Sequence, residues 1–266
     1  MMKDMISDIK SKKPLVHHIT NYVTVNDCAN VTLAIGGAPV MADAIEEVED
    51  MVGIASALVI NIGTLNSVKV KSMIMAGQKA NELGIPVIFD PVGCGATAYR
   101  REVARLLMGK IHMTVIRGNL SEIMALAEEN IHMKGVDAGS ENISQVNDLL
   151  KNYAKQWKTI LAVTGAVDKI TDGQRLTEIE NGCKEMGTVT GTGCMCTSLV
   201  GTFVAAASQD AYDATVEAIM TMGIAGEISW KQNGNKGLGH FHMGIIDEIG
   251  KMNINTLKEW GRIHEI

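Results

Sequence analysis

The chain reads as an α/β protein built on a mostly parallel central sheet with helices covering both faces. Three observations predict this. Four apolar runs rich in Val and Ile, at residues 57–62, 86–89, 113–116 and 159–163, each stop at glycine or a polar residue. They are too short for helices, and they are predominantly apolar rather than alternating, as strands buried on both faces are. Between them lie stretches of helical length, at 68–83, 99–108, 121–127 and 143–156. Regular alternation of strand and helix is the pattern of a parallel sheet. Finally, a glycine-rich loop at 187–193 runs directly into an apolar stretch at 194–207, so a loop feeds a buried helix.

The remaining elements follow in order. Residues 3–13 read as a short polar helix ended by Pro14, and 15–20 as a strand. Residues 21–33 run helically over small side chains to Gly36 and Gly37, 38–45 form a short strand and exposed loop, and 46–54 an amphipathic helix. Residues 168–180, alternating Ile170, Leu176 and Ile179 around Asp172-Gly173, predict a β-hairpin at the edge of the sheet. Beyond the glycine loop the pattern is helical to the end, at 194–208, 211–231 and 242–260. No internal repeat, charge block or linker divides the chain, so residues 1–266 are expected to form a single domain.

Composition narrows the function. With 46% hydrophobic and 20% charged residues and only four Pro, the sequence predicts a compact, soluble protein. A net charge of −6 argues against a nucleic-acid groove, which needs clustered Lys and Arg. Any phosphate must then be held by backbone dipoles, a metal and a few local cations. The first ten residues mix both signs of charge and hold no apolar signal core, and no run approaches the roughly 20 apolar residues of a membrane span. Five scattered cysteines, an odd number, do not make a disulfide framework. A reducing cytoplasm is the expected setting.

Ligands of open α/β sheets sit beyond the carboxyl ends of the parallel strands. Here those ends carry Asn61 with Gly63-Thr64, Asp90-Pro91-Val92-Gly93, Arg117-Gly118-Asn119 with Glu122, and Thr164-Gly165 with Asp168. The four ends and the Gly191-Thr192-Gly193 turn are expected to share one cleft. A helix start leaves N–H groups unpaired and carries about half a positive charge, so the turn suits a phosphate. Cys194 in its first turn is placed for chemistry, with the dipole favouring thiolate. A simple glycine helix start over a buried cysteine fits this stretch equally well.

Taken together and in order, the segments His18-Ile19-Thr20-Asn21-Tyr22-Val23, Gly36-Gly37-Ala38-Pro39-Val40-Met41-Ala42, Asn61-Ile62-Gly63-Thr64-Leu65, Asp90-Pro91-Val92-Gly93, Ile116-Arg117-Gly118-Asn119, Ser121-Glu122-Ile123, Val163-Thr164-Gly165 and Gly191-Thr192-Gly193-Cys194 cover nearly the whole chain. In these segments the sequence resembles the hydroxyethylthiazole kinases of thiamin salvage. The resemblance implies a ribokinase-like three-layer sandwich. The cysteine is the informative member, because most ribokinase-like kinases resemble one another in having Asp there.

The resemblance also implies roles. Gly191, Thr192, Gly193 and the N–H of Cys194 would form an anion hole over the γ-phosphoryl of ATP, with Cys194 facing the substrate hydroxyl. Arg117 and Thr164, with Asn119 beside them, would bind ATP. Asp90 and Glu122 would hold Mg²⁺, although an Asp before Pro also caps turns, and Glu122 also fits a capping box opened by Asn119. Met41 with Ala42 would line the thiazole pocket, and Asn21 and Gly191 would add polar contacts. A homotrimer is implied, with each thiazole site built from Asn21 and Met41 of one chain and the Gly191 loop of another. His17 and His18, adjacent on a strand, point to opposite faces and are expected to be structural. Gly237-Leu238-Gly239-His240-Phe241 departs from the family's commoner Gly-Pro-Gly-Ser-Phe, and Leu120 from its commoner Ala, outside the proposed reacting groups. Two other functions stay in view: an ATP- or ADP-dependent hydrate dehydratase, against which Cys194 counts, and a nucleotide- or thiazole-binding protein without activity, against which Asp90, Arg117 and Glu122 count.

Overall fold

The computed structural model describes residues 4–127, 140–207 and 210–266, except for the side chains of 140–143. The first half runs α1 (Met5–Lys12), β1 (Leu15–Ile19), α2 (Val25–Ile35), β2 (Ala38–Met41), α3 (Val48–Ile54), β3 (Ala57–Asn61), α4 (Ser67–Leu83) and β4 (Val87–Asp90). Then come α5 (Ala98–Lys110), β5 (Val115–Asn119), α6 (Leu120–Leu126), α7 (Ser140–Trp157), β6 (Ile160–Thr164) and the hairpin β7 (Asp168–Thr171) and β8 (Leu176–Ile179). A 3-10 turn at Lys184–Thr188 leads to α8 (Thr192–Ala206), α9 (Ala211–Asn233), α10 (Leu238–Lys251), α11 (Ile254–Trp260) and β9 (Ile263–Glu265).

All nine strands join one sheet in the order β2-β1-β3-β4-β5-β6-β7-β8-β9. Pairing is parallel from β2 to β6 and antiparallel from there to β9. Successive strand residues point to opposite faces, and the two cores divide accordingly. Ala57, Val59 and Val115 pack with α1, α2, α8, α9 and α10, whereas Leu58, Ile60 and Ile116 pack with the α3 to α7 side. The sandwich predicted from continuous apolar strands is therefore present, with one core on each face.

Helix α8 lies against the middle of the sheet, touching β1, β3 and β4 as well as α2 and α9. A Cβ at Gly201 would stand 2.6 Å from Cγ2 of Val59, so glycine is what lets this helix approach the strand.

Four expectations needed correction. The hairpin is not at the edge, because β9 pairs with β8 (Ile179↔Ile263). That three-residue strand is exposed throughout and has no alternation to read. The helix expected at 242–260 is two helices, since Asn253 turns the chain and caps α11 by accepting from the N–H groups of Asn255 and Thr256. The first of them, α10, already begins at Leu238. Strand β5 begins two residues late and runs through Arg117, Gly118 and Asn119, which pair with Ala162, Val163 and Thr164.

Gly201→Val is expected to lower stability by about 1–3 kcal/mol through overpacking. Gly53→Ala, where a Cβ meets nothing within 4 Å on a helix, should leave stability unchanged or raise it by about 0.4–1 kcal/mol. Urea denaturation of the two variants checks both signs.

Candidate active site

The carboxyl ends of β3, β4, β5 and β6 meet the start of α8, as the strand-end reading predicts. The residue capping α8, Gly191, has a φ of +90°, which a side chain would strain, and no side chain caps the helix. Its first intrahelical bond runs from Met195 N–H to the Gly191 carbonyl, so the N–H groups of Thr192, Gly193 and Cys194 precede the ladder. A Cβ at Gly193 would lie 2.7 Å from Nη1 of Arg117, so the helix start and the guanidinium are in direct contact.

Two cavities flank this helix start. One, of about 510 Å³, is bordered by Arg117, Thr164, Asp168, Thr192 and Gly193, with Lys184 and Met186 farther along. The other, of about 400 Å³, is bordered by Asn21, Asn119, Glu122, Gly191 and Cys194. Arg117, Thr164 and Gly193 line both, so the cavities are two lobes of one cleft. Met41 lines neither lobe and sits half-buried on β2, the outer strand of the sheet.

A buried hydrogen-bond cluster lies behind the smaller lobe. Asn21 Nδ2 donates to Cys194 Sγ at 3.3 Å and to Asn61 Oδ1 at 3.0 Å. Asn61 Nδ2 donates to Cys194 Sγ at 3.3 Å and to Asp90 Oδ2 at 3.0 Å. Thr197 Oγ1 donates to the same Asp90 oxygen at 2.7 Å. Asn21 therefore meets Cys194 within one chain, which corrects the expectation that these two come from different subunits.

The electrostatics correct a second expectation. Burial, reinforced by the charge of Asp90, pushes the Cys194 thiol above its ordinary value, although Thr24, Asn21 and Asn61 act the other way. The helix dipole is worth about 0.3–1 kcal/mol, and up to ~2 in partly buried geometry, so desolvation outweighs it. Free Cys194 is a thiol. Burial likewise raises Asp90 from 3.8 to about 6, against the pull of Arg117 and of the Thr197 and Asn61 bonds. Asp168 rises to about 6 for the same reason. His17 and His18 are buried and neutral, each held to a main-chain carbonyl, so they are structural as expected.

The other proposed ligands are partly engaged. Arg117 Nη2 donates to Thr164 Oγ1 at 2.6 Å. Asn119 caps α6 by accepting from Glu122 N–H, and Glu122 Oε2 accepts in return from Asn119 N–H at 2.8 Å, closing the capping box. Glu122 Oε1 accepts from Gly93 N–H at 2.8 Å. Asp90 Oδ1 is buried without a hydrogen-bond partner. A hard cation takes oxygen ligands of this kind, and Mg²⁺ completes its shell from phosphate and water rather than from a protein cage. That suits a site where, among the described residues, no three His, Cys, Asp or Glu cluster. Asn61 was expected at the cleft but given no role there, and Thr197 was missed. The register pair Asn61↔Asp90 at adjacent strand ends was the available signal for Asn61; Thr197 lies one turn into an apolar helix and carried none.

Comparison with known proteins gives a consistent picture. The profile described as Hydroxyethylthiazole kinase family matches residues 6–255. A hydroxyethylthiazole kinase of Ruminiclostridium cellulolyticum is 54% identical over 265 residues, covering 98% of this chain and 96% of that one. The solved structure of hydroxyethylthiazole kinase protein from Pyrococcus horikoshii OT3 superposes with a TM-score of 0.88 at 40% identity, covering 98% and 97% of the two chains. A ribokinase-like superfamily protein from Enterococcus faecalis, 13% identical with a TM-score of 0.65 over 91% and 88% of the chains, shares the fold.

The raised carboxyl of Asp90 generates a stability prediction. It binds its proton more tightly folded than unfolded, so its contribution falls as pH rises from about 4 through about 6. Asp90→Asn removes that cost. In unliganded protein the variant should be more stable than the parent at pH 7–8 by on the order of 1–3 kcal/mol, and the difference should shrink toward pH 4. Denaturation curves at several pH values test this, and a difference independent of pH would sink it.

Proposed function

The chain belongs to the hydroxyethylthiazole kinase family, and from that premise we propose how its cleft moves the γ-phosphoryl of ATP to the hydroxyl of 4-methyl-5-(2-hydroxyethyl)thiazole. The observation that carries the reading is the helix start at Gly191–Cys194, which borders both lobes and has Arg117 against it. The larger lobe takes the nucleotide, with Arg117 and Thr164 on its phosphates and Asn119 beside them on the wall of the smaller lobe. The smaller takes the thiazole, with Asn21 and Gly191 as polar contacts and Cys194 toward its hydroxyl.

The hydroxyl oxygen of the thiazole's hydroxyethyl group attacks the γ-phosphorus, its proton passes to the Cys194 sulfur, the bond from phosphorus to the β–γ bridging oxygen breaks, and ADP leaves. Charge gathers on the equatorial oxygens, where the N–H groups of Gly193 and Cys194 and the Arg117 guanidinium can stabilise it. Mg²⁺, held by Asp90 and Glu122 directly or through water, supplies charge neutralisation of the phosphates. Only the thiolate of Cys194 can take that proton, and it is a weak base that burial makes a minor form, but a loose transition state depends mainly on position and charge, so a weak base suffices.

We read residues 1–266 as one kinase domain in a cytoplasmic homotrimer. No helix among the described residues is long and apolar enough to cross a membrane. Tyr22 and Val23, 76% and 60% exposed beside the smaller lobe, favour a covering neighbour, and Met41 of that neighbour would complete the thiazole pocket. Light scattering after gel filtration tests the trimer, and a monomer at working concentration would remove it.

The central test is turnover with Mg-ATP on hydroxyethylthiazole, on hydroxymethylpyrimidine and with no added alcohol. Only the thiazole should release ADP and yield a phosphorylated product. Cys194→Asp should retain or improve turnover. Cys194→Ala should slow it toward or below the lower end of the roughly 10²–10⁴-fold that acid–base groups supply, without abolishing it. Complete loss in a folded Ala variant would show that the thiol is indispensable.

A further inference from the structure

Asn61 has no part in the roles above, yet its side chain ties two of the groups that do. Its amide makes four hydrogen bonds: Nδ2 donates to Asp90 Oδ2 and Cys194 Sγ, and Oδ1 accepts from Asn21 Nδ2 and from Gly63 N–H at 2.9 Å. That saturates a primary amide's two donors and two acceptor sites. Gly63 N–H can only donate, so it fixes Oδ1 on its own side and turns the NH₂ toward Asp90 and Cys194. The residue is 1% exposed, so no water competes for these bonds.

From this geometry we propose that Asn61 is a positioning residue for phosphoryl transfer, whose locked amide joins Asn21 in holding the Cys194 sulfur in place beside the smaller lobe. The assignment rests on the reading of Cys194 as the group that faces that hydroxyl. Cys194 lines the smaller lobe. The amides of Asn21 and Asn61 both donate to the Cys194 sulfur, and the Thr24 hydroxyl is a third polar neighbour of it. Rotation of the thiol is thereby removed before substrate arrives, the kind of preorganisation that acts on kcat more than on binding. The same amide, with Thr197 Oγ1, occupies Oδ2 of Asp90, which leaves Oδ1 as the oxygen without a partner.

The test is a double-mutant cycle on kcat. Asn61→Asp keeps the shape of the side chain and puts an acceptor where both donors stood. In the native background kcat for the thiazole should fall about ten- to a hundredfold, with KM for ATP within about twofold. In the Cys194→Ala background the same substitution should cost at least about fivefold less, because the sulfur it positions is gone. Equal losses in the two backgrounds would overturn the assignment, since Asn61 would then act through Asp90 or the fold alone. A second readout is alkylation of Cys194 by iodoacetamide, followed at its peptide by mass spectrometry. Asn61→Asp should slow it at least about fivefold at neutral pH, while Cys183, which bonds to the Gly226 carbonyl, keeps its rate as an internal reference. Unchanged Cys194 alkylation would also overturn it. If Asn61→Asp does not fold, Asn61→Ala takes its place in both measurements, and loss of folding in both would make Asn61 a structural residue only. A native protein inactive on both alcohols would sink the reading of the cleft instead, and the alkylation rates would still decide the tie between Asn61 and the sulfur.

Discussion

The site depends on a helix buried along nearly its whole length whose first turn is left uncapped. From Cys194 to Ala206 every residue of α8 except Ala205 is buried, so the helix cannot slide or tilt without losing core on both sides. Small residues make the fit. Gly201 lets Val59 approach, and a Cβ at Gly37 would lie 2.7 Å from Cγ2 of Thr202. The hydroxyls of Ser198 and Thr202 return to carbonyls one turn back, at 3.1 and 2.9 Å, so the polar atoms in this apolar setting are satisfied locally. Thr197 differs, in that its hydroxyl reaches Asp90 at the end of β4 and ties the helix start to the rim of the sheet.

The burial that sets the geometry also sets the protonation states. A fully buried ionisable group can shift by as much as 3–5 units, a range that exceeds what a helix dipole supplies. Cys194 and Asp90 are therefore both pushed toward their neutral forms in the unliganded protein by burial, and the charge of Asp90 adds to the push on Cys194. The cleft is poised for charges that arrive with its ligands. A cation beside Asp90 favours the carboxylate, and as Asp90 ionises its charge is matched by that cation. Binding and ionisation are linked without any movement of the chain.

The fold was legible because strands buried on both faces are predominantly apolar rather than alternating, and residues 57–62 and 159–163 show that pattern between helical stretches. Boundaries failed where the rule has no purchase. Arg117 is a strand residue at the mouth of a cleft, and its charge made the strand look finished; β9 is exposed and leaves no hydrophobic signature. Within the site, residue types at strand ends pointed to Asp90, Arg117 and Thr164, but type does not reveal depth. The thiolate expected of Cys194 ignored the desolvation that comes from helices far away in sequence. Asn61 was visible as a polar residue after a strand, while its four bonds arise from Asn21, Gly63, Asp90 and Cys194, four separate places in the chain. Met41 stands outside the lobes of its own chain, and nothing in one sequence says which surface of another copy it meets.

The Gly-Thr-Gly turn shows how a motif becomes a set of steric requirements. A Cβ at Gly191 would stand 2.8 Å from Cγ2 of Thr24, on the side of the smaller lobe, and its φ of +90° is strained for any side chain. A Cβ at Gly193 would strike Arg117, on the wall between the lobes. The two glycines thus answer to different neighbours, one on each flank of the loop. Thr192 stands between them, and its hydroxyl donates to the Met186 carbonyl at 3.1 Å, fastening the loop to the 3-10 turn before it. Bulk at either glycine would push the backbone away from the place where phosphate is to be held, and loss of the threonine would free it to move. The motif therefore specifies where three N–H groups are held in space, and the cysteine that follows inherits its position from them.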